Sequence, residues 1–507
     1  MFIRKLKNRS GSTSVQIISK SGGKYKVVKT IGSAFSEQEI LTLCYEAKHE
    51  IEALGKQQSL FLSDEDALIE SYFNTLHNSQ IQVIGPELVF GRIYDAIGFS
   101  EIKESLFRHL VVTRLVYPGS KLKTIDYLRR YQGIEISSES IYRFLDKLHS
   151  VLKRQVEDIT FVHTLKVLKG EVSIVFYDLT TLYFESADED DLRKTGYSKD
   201  GKYQHPQIYL GLLVGLNGYP IGYDIFQGNI SEGHTLIPTL RKFERRFGLS
   251  KPIVVADAGL LSGDNIILLE QCGYQYILGA RIKNEAVVIK DQLLQAKLRD
   301  GQHLIIKRQN YQRLIVAYSD KRATKDEHNR KRGLIRLEKN LKAGRLTKSH
   351  INNKGYNKYL KLTGDVQIEI DYNKFKEDKK WDGLKGYLTN TKLSAEKIIQ
   401  NYKNLWQIEK AFRISKTDLQ IRPIYHRIRR RIEAHICIAF TAYAIYKELE
   451  RMLSMSKAPF SATRAALLTH TMYQISFILP ESKKKKQILL KMDEKQQILL
   501  KIIDQNL

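Results

Sequence analysis

The sequence has few cysteines and no long apolar run, and each shortage argues against a class of protein. Only Cys44, Cys272 and Cys437 occur among 507 residues, and they lie far apart, outside any CxxC or histidine-interleaved pattern. This spacing argues against a disulfide scaffold or a zinc finger. The longest apolar stretch, residues 436–446, is too short to span a bilayer.

The first residues, MFIRKLKNRSGS, carry positive charge with no apolar stretch behind them. We therefore expect neither a secretory signal nor a membrane anchor. The sequence predicts a cytoplasmic, nucleoid-associated protein with reduced cysteines.

Acidic residues are also scarce: 56 Asp and Glu stand against 82 Lys and Arg, which gives a net charge of +26. The usual partner of such a chain is nucleic acid, and an anionic membrane surface is the next candidate. The basic residues are spread over many segments, without one polybasic anchor beside an apolar face, so membrane binding is disfavoured.

The N-terminal third combines strand-like and helical patterns. Residues 1–33 alternate apolar and polar around Gly22-Gly23, which predicts a β-hairpin. A helix is expected from about Ser36 to Leu54, where Ser36 and Glu39 match a capping box. Residues 120–148 predict two helices joined by a glycine turn, the second capped by Ser137 or Ser138. This pair is either a helix-turn-helix that docks on DNA or an ordinary helical hairpin.

After Gly170 the periodicity changes to that of strands. Three strands, at about 172–184, 205–216 and 219–226, are expected to pair antiparallel through a turn at Gly218. A helix, a strand, a second helix and another strand follow as far as residue 281. This order predicts an α/β fold with a mixed sheet flanked by helices.

The remaining sequence predicts an insertion and a helical tail. Residues 285–390 carry strand-like pieces around a polar stretch, 321–358, with 13 basic residues against Asp326, Glu327 and Glu338. From about Ser394 the pattern is helical to the end, closing with an amphipathic helix at 487–501. The resulting division is 1–165, a hairpin plus a helical region that is the candidate for DNA binding; 166–285 and 393–455, two parts of an α/β core; 286–392, an inserted β-rich, lysine-rich domain; and 456–507, a helical C-terminal region.

Three acidic residues are candidates for chemistry. Asp178 interrupts a run that is apolar on both faces, where an uncompensated carboxylate is costly to bury. Asp257 ends the apolar strand IVVAD, and ligands usually bind at the carboxyl ends of strands in α/β sheets. Glu409 is expected to face inward along the buried stripe of a helix, between Leu405 and Phe412. A cap or turn role for Asp257 and a salt-bridge role for Glu409 remain the alternatives.

Tyr402 and Lys416 lie seven residues before and after Glu409, so one continuous helix would place all three on one face. Carboxylate ligands on rigid elements suit two Mg²⁺ or Mn²⁺ ions, which drive in-line phosphoryl displacement. Nine Lys or Arg between residues 402 and 431 would neutralise several phosphates.

Two further segments look chemical but are not predicted to be sites. Residues 196–203, GYSKDGKY, nearly match a phosphate loop, but Tyr203 lacks the small hydroxyl that holds Mg²⁺ and a strand follows. The acidic run from Ala187 to Leu192 is predicted to be a solvated loop.

These motifs together resemble those of DDE-type insertion-sequence transposases with the YREK signature, in the IS-four-like superfamily. The resemblance covers most of the chain, including YDLTTLYFE, GNISEGHT, VVADAGLLS, DGLKGYLTNT and YKNLWQIEKAFRISKTDLQIRPIYH. It implies an RNase H-like core with a β-rich insertion between the second Asp and the Glu. Asp178 would stand on the first strand, Asp257 after the fourth and Glu409 on the following helix.

The signature itself is Tyr, two residues, Arg, three residues, Glu, six residues, Lys. Tyr402, Glu409 and Lys416 match it, but Leu405 stands where Arg is expected, and Lys403 or Arg413 are the candidate substitutes. Trp406 is either a base-stacking residue or a core residue.

The resemblance implies a bacterial transposase that binds terminal inverted repeats and target DNA as a homodimer or higher oligomer. It would cleave and transfer DNA strands at one site. Asp178 would bridge two ions, Asp257 and Glu409 would each hold one, and Tyr402 and Lys416 would grip phosphates. Asn229 and Glu232 are weaker candidates for a role beside these ligands, with helix capping as the alternative. Two other functions remain open: an RNase H-like nuclease without strand transfer, and a non-catalytic DNA-binding protein.

Overall fold

The computed structural model describes residues 1–55, 69–70, 73–74, 77–186, 188–196, 201, 204–260, 263–352, 355–363, 367–479 and 482–507. The chain forms two compact units, Met1–Gln80 with Phe477–Lys486 and Ile81–Ser476 with Gln487–Leu507. The predicted boundaries at residues 165, 285, 392 and 455 all fall inside the second unit. The division into five segments stays a prediction.

The first unit begins with an antiparallel sheet of β1 (Phe2–Lys7), β2 (Thr13–Ser21) and β3 (Lys24–Ala34), in that order. Gly22 and Gly23 join β2 to β3 with φ of +57° and +81°, values that favour glycine. The predicted hairpin is confirmed, and β1 adds a third strand to it.

Helix α1 (Glu37–Gly55) follows this sheet. The Ser36 hydroxyl accepts from the Glu39 N–H at 3.3 Å, and the Glu39 carboxylate accepts from the Ser36 N–H at 3.4 Å. The predicted helix and its capping box are confirmed, because both reciprocal bonds form.

The second unit opens with β4 (Ile81–Val83) and a helical segment. The α-helices that follow are α2 (Arg92–Ile97), α3 (Ser105–Val116), α4 (Lys121–Tyr127), α5 (Ser138–Lys147) and α6 (Lys153–Val167). Helix α4 continues into a π-helical turn at 128–132, and α5 continues into another at 148–152.

The predicted helix pair and its glycine turn are confirmed in α4 and α5. Gly133, at φ +67°, ends the first helical segment. The Ser137 hydroxyl caps α5 by accepting from the Ser140 N–H at 3.1 Å. Docking of this pair on DNA stays a prediction.

The second unit is built around an eight-stranded mixed sheet. In chain order the strands are β5 (Ile174–Tyr183), β6 (Gln207–Val214), β7 (Pro220–Gln227), β8 (Ile253–Ala256), β9 (Tyr276–Ala280), β10 (His303–Lys307), β11 (Arg313–Tyr318) and β14 (Leu384–Thr389). Their spatial order is β10-β11-β14-β9-β8-β5-β6-β7. The neighbours β5, β8 and β9 run parallel, and the other neighbours run antiparallel.

The later helices cover both faces of this sheet and extend beyond it. They are α7 (Leu236–Phe247), α8 (Gly263–Gln271), α9 (Val287–Gln295), α10 (Asp320–Lys342), α11 (Tyr372–Asp378), α12 (Ala395–Lys403), α13 (Trp406–Arg413), α14 (Arg429–Met455), α15 (Ala462–Thr469) and α16 (Glu494–Asn506). In the described part of the chain, no helix is both long enough and apolar enough to cross a membrane.

Alternate strand residues bury opposite faces of the sheet, as a period of two requires. Phe176 and Val255 belong to the core shared with α12, α13 and α14, whereas Val175 and Val254 belong to the core shared with α7 and α8. The predicted RNase H-like mixed sheet with flanking helices is confirmed.

The insertion does not form a wholly separate layer. Its strands β10, β11 and β14 continue the central sheet, because β14 pairs antiparallel with β9. By contrast, α10, the hairpin of β12 (Leu360–Thr363) and β13 (Gln367–Ile370), and α11 pack around a small core of their own.

The prediction of helix from Ser394 to the end is wrong in the tail. Residues Tyr473–Ile478 form β15, and Lys485–Leu489 form β16. The sequence YQISFI alternates apolar and polar residues, and β15 pairs antiparallel with β4. The closing helix α16 starts only after Asp493, which caps it by accepting from the Gln496 N–H at 2.8 Å.

A buried polar network ties the long helix α14 to the rest of the second unit. Glu448 on α14 is 4% exposed and accepts from the Tyr219 hydroxyl at 3.0 Å and from Arg451 Nη2 at 2.6 Å. His163 Nε2 lies 3.3 Å from the same carboxylate. Burial alone raises the pKa of Glu448, but the hydrogen bonds from His163 and Arg451 outweigh burial and lower the pKa from 4.5 to about 2.

We predict that Glu448→Gln lowers the free energy of unfolding by roughly 3 kcal/mol, because it breaks a buried charge network. Since the folded-state pKa is depressed, this contribution is fully present above the ordinary pKa and is lost as the pH falls toward 2. Denaturant unfolding at neutral and acidic pH measures both effects. The control Glu377→Gln removes an exposed pair with Lys380 and should cost about 1 kcal/mol or less. Equal losses in the two variants would contradict the prediction.

Candidate active site

The first candidate acid, Asp178, lies in the middle of the central strand β5. It is half-buried between fully buried neighbours, and its Oδ1 accepts from the Leu179 N–H at 2.8 Å. Because strand side chains alternate, Asp178 shares the face of Phe176, which is covered by α12, α13 and α14.

The second acid, Asp257, directly follows β8 and is exposed. Its Oδ1 accepts from the Gly259 N–H at 3.0 Å, which turns the chain away from the strand. In the parallel pair of β5 and β8, Tyr177 stands opposite Ala256. Continuing this register by one residue sets Asp178 beside Asp257, on strands about 4.8 Å apart. By this register, the two predicted residues stand level with each other on neighbouring strands.

A tyrosine from α12 lies over the next strand in the same row. Gly279 of β9 pairs with Tyr387 of β14, and the Tyr402 hydroxyl lies where a side chain at Gly279 would stand. The Tyr402 and Tyr387 rings pack edge to face with centroids 5.0 Å apart. The row across the sheet thus runs from the two aspartates to a glycine under Tyr402 and then to Tyr387.

The continuous helix predicted through Tyr402, Glu409 and Lys416 is wrong. Helix α12 ends at Lys403, α13 begins at Trp406, and residues 414–418 form a π-helical turn. At the break the Leu405 N–H donates to the Tyr402 carbonyl at 3.0 Å, a bond to the third residue back. The break lets α12 pack on β8 and β9 while α13 packs on β5 and β6.

The third acid, Glu409, lies on α13 and is exposed, so the prediction that it faces inward is wrong. The buried side of α13 carries Ile408, Ala411 and Phe412 instead. Glu409 nevertheless lies close to the row, since its charge and that of Asp257 both act on the Tyr402 hydroxyl. Burial raises the pKa of Tyr402, and the two carboxylates raise it further.

The three acids are not gathered into one coordination group. Among the residues that the structure describes, no set of three His, Cys, Asp or Glu side chains lies close enough together to hold a metal ion. The arrangement consists of two aspartates in register on the sheet and a glutamate on a neighbouring helix.

The predicted DNA-binding residues on and after α13 differ in their exposure. Trp406 is 53% exposed, which excludes the core role, and the Lys410 ammonium lies 5.9 Å from its ring centre. Both residues line a cavity of about 1040 Å³ that Glu409 does not line. Arg413 is exposed on α13, and Lys416 is half-buried in the π-helical turn.

Two basic residues beside the row, Lys385 and Arg322, are not among the residues predicted from the sequence. The Lys385 ammonium on β14 lies 5.0 Å from the centre of the Tyr402 ring. Burial lowers the pKa of Lys385, Arg322 lowers it further, and Asp257 opposes both. A lysine inside the strand LKGYLT was the available signal, of the same kind as Asp178 inside its apolar run.

Glu232 also lies near this edge of the sheet, since a Cβ built at Gly259 would stand 3.4 Å from the Glu232 Oε2 atom. It therefore contacts the turn that follows Asp257. Asn229 is exposed. Helix α7 begins after Thr235 without a side-chain cap, so neither residue caps it.

The apparent phosphate loop, 196–203, and the acidic run, 187–192, are each described only in part. Residues 197–200 and 202–203 of the apparent phosphate loop lie outside the described residues, as does Ala187 of the acidic run. In the described part of that run, Asp190 accepts from the N–H groups of Leu192 and Arg193 at 2.9 and 2.6 Å.

Comparison with known families identifies the chain. A family model described as "Transposase DDE domain" matches residues 170–445, more than half of the chain and the span from β5 into α14. The chain belongs to the transposase DDE domain family. The matched span of the transposase domain includes Asp178, Asp257 and Glu409.

Comparison with solved structures finds similarity to a piggyBac transposase in a synaptic complex with hairpin DNA. The TM-score is 0.38 and the identity 10%, over 72% of this chain and 69% of that chain. No curated protein matches the sequence.

We predict that Gly279→Ala destabilises the transposase domain by about 1–3 kcal/mol, because the added methyl group collides with the Tyr402 hydroxyl and meets the Ala258 nitrogen at 3.1 Å. Denaturant unfolding measures the loss. Gly263→Ala is the matched control, since no described atom lies within 4 Å of a Cβ built there. An unchanged stability at Gly279 would contradict the placement of Tyr402 over the sheet.

Proposed function

We propose that this protein is an active transposase of a bacterial insertion sequence, which cleaves and transfers DNA strands with Asp178, Asp257 and Glu409. The single observation that carries this proposal is the register of β5 and β8, which, continued by one residue, brings Asp178 of β5 level with Asp257 just after the carboxyl end of β8. The carboxyl ends of strands are where ligands bind in α/β sheets. The matched transposase family supplies the reaction class.

The donor set fits a hard divalent cation. Carboxylate oxygens are the ligands that Mg²⁺ and Mn²⁺ prefer, and Asp178 and Asp257 offer them from neighbouring rigid strands. These two residues would hold the metal, and Glu409 would complete the ligand set from α13. Two such ions, when bound, stabilise both the attacking and the leaving oxygen of an in-line displacement at phosphorus.

The chain's own groups around the carboxylates suit a phosphate. Tyr402 keeps its proton because burial and two nearby carboxylates raise its pKa, so its hydroxyl can donate to a phosphate oxygen. Lys385, and Lys416 farther along the chain, would supply positive charge, while Arg413 and Trp406 offer exposed contacts to the strand.

We assign the chain to the YREK-signature group with one replacement. Leu405, at the position of the signature arginine, is 8% exposed and packs in the core, so it cannot reach a phosphate. Lys385 lies against the signature tyrosine, Tyr402, and in our proposal takes over the missing positive charge.

The DNA partners we propose are the terminal inverted repeats and the target, held by a homodimer or higher oligomer. This assembly follows from the need to pair two element ends before their strands are transferred. A location at the nucleoid would follow from the same substrate.

We predict that Asp178→Asn, Asp257→Asn and Glu409→Gln each reduce Mg²⁺-dependent cleavage of end-containing oligonucleotides by about a thousandfold or more. Losing a metal ligand removes several kcal/mol of transition-state stabilisation. Gel assays of cleaved and joined products measure the effect, and Glu396→Gln, an exposed acid on α12, is the control. Unchanged cleavage in the Asp178 variant would contradict the assignment. Cleavage without joined products in the wild type would favour a nuclease instead.

For Lys385, we predict that Lys385→Gln lowers the cleavage rate about tenfold while Lys385→Arg retains most of it, because the charge rather than the chain shape is needed. Single-turnover rates at saturating DNA separate this effect from weaker binding. Lys392→Gln, an exposed lysine three residues beyond β14, should leave the rate unchanged. An arginine variant as slow as the glutamine variant would rule out the replacement.

A further inference from the structure

The lysine-rich stretch of the insertion folds into one long helix with two distinct sides. Helix α10 packs its inner side on residues 355–359 and on β13, and it buries Arg330, Gly333 and Leu337 there. The approach is close, because any side chain larger than hydrogen at Gly333 would overlap the Tyr356 ring. The inner side therefore fixes which residues of α10 face outward.

The outer side carries a line of cations. At 3.6 residues per turn, five basic residues fall within one narrow arc of α10, opposite the buried residues. All five are exposed, and we call them the basic stripe: Lys321, Lys325, Arg332, Arg336 and Lys339. Lys325, Arg332 and Lys339 repeat every seven residues, so they recur at about 10.5 Å along the helix.

The acids of α10 after its first residue lie off the basic stripe and are engaged elsewhere. Asp326 accepts from the Gly383 N–H at 3.2 Å, and Glu338 accepts from the Tyr372 hydroxyl at 2.9 Å. Glu327 pairs with Lys331 at 2.8 Å, outside the stripe. Among the described residues, no carboxylate lies within 4 Å of a stripe cation.

This separation of charge is unusual for a surface helix. Exposed helices are commonly laced with ion pairs of opposite sign three or four residues apart. Here such pairs hold Arg322 and Lys331 on the flanks and leave the stripe uncompensated. A row of like charges destabilises the isolated helix, so a polyanion that neutralises it is the natural partner.

The basic stripe starts next to the candidate active site. The Ser319 N–H, at the start of α10, donates to the Gly383 carbonyl at 3.0 Å, two residues before Lys385 on β14. Arg322, in the first turn of α10, acts electrostatically on both Lys385 and Tyr402. The stripe therefore leads away from the residues that we propose to hold the reacting phosphate.

We propose that the basic stripe of α10 binds the sugar-phosphate backbone of duplex DNA and guides it from the active site along the insertion. From Lys321 to Lys339 the stripe is about 27 Å long, which matches about eight phosphates of one strand at 3.4 Å per residue of duplex. Phosphate contacts of this kind position DNA without reading its sequence. The inference rests on the proposed function for its choice of partner.

The test compares two triple variants of the full-length protein. Lys325→Gln/Arg332→Gln/Lys339→Gln removes three stripe cations, and Lys374→Gln/Lys376→Gln/Lys380→Gln removes three exposed lysines on and beside α11 of the same insertion. The net charge changes equally in both. Fluorescence anisotropy with a labelled duplex of arbitrary sequence, in EDTA over a range of salt concentrations, measures affinity without any catalysis.

We expect the stripe variant to bind the duplex about tenfold more weakly at roughly 0.1 M salt and to lose about 2.7 from the slope of log affinity against log salt, at about 0.9 per phosphate contact. The control variant should keep nearly the wild-type slope. Equal losses in both variants would overturn the proposal, because net charge alone would then explain binding. A wild-type preference for single-stranded RNA or for phosphatidylserine vesicles over duplex DNA would also overturn it.

Circular dichroism and thermal unfolding must match the wild type, as expected for exposed residues. The two proposals fail separately. A wild-type chain that binds duplex through the stripe but never cleaves it supports the stripe and contradicts the proposed function. A chain that cleaves end-containing DNA while the stripe variant keeps the wild-type salt slope contradicts the stripe alone.

Discussion

The candidate site depends on the parallel pairing of β5 with β8. At β5 the parallel strands meet one of the two antiparallel parts of the sheet, and the register with β8, continued by one residue, sets Asp178 level with Asp257. A slip of one residue would turn one of the two carboxylates to the opposite face, into the core shared with α7 and α8. Burial of Phe176 and Val255 on one face, and of Val175 and Val254 on the other, opposes any such slip.

Two tyrosines, Tyr402 and Tyr387, lie on the same face of the sheet as the acids. Gly279 leaves room for Tyr402, and Tyr402 packs against Tyr387, so the hydroxyl is held by two rigid contacts. The cost of burying this group next to carboxylates is met by keeping the phenol neutral. The site therefore combines charged carboxylates with the packed rings of Tyr402 and Tyr387.

Much of the fold could be predicted because its strands and caps follow local rules. The Gly22-Gly23 hairpin, the Ser36 cap, the Ser137 cap and the antiparallel pairing of the successive strands β5, β6 and β7 all rest on segments close in sequence. The positions of Asp178 and Asp257 were also predictable, because a charge inside or at the end of an apolar strand is a local signal.

The parts that could not be predicted depend on contacts between distant segments. The break between α12 and α13 arises because the two helices pack on different strands, and no glycine or proline marks it. The pairing of β14 with β9 joins residues about a hundred positions apart, so Lys385 had no sequence neighbour to reveal its place. The alternating pattern of β15 was visible but was outweighed by the helical residues around it.

The attachment of α10 has a geometric consequence. The helix follows β11 after a single residue, Ser319, and both Ser319 and Asp326 are hydrogen-bonded to Gly383, which directly precedes β14. Both strands belong to the sheet that carries the aspartates, so the helix cannot swing without bending that sheet. The length of α10 therefore sets the distance between its far end and the carboxylates. Each added or deleted turn would change that distance by about 5.4 Å.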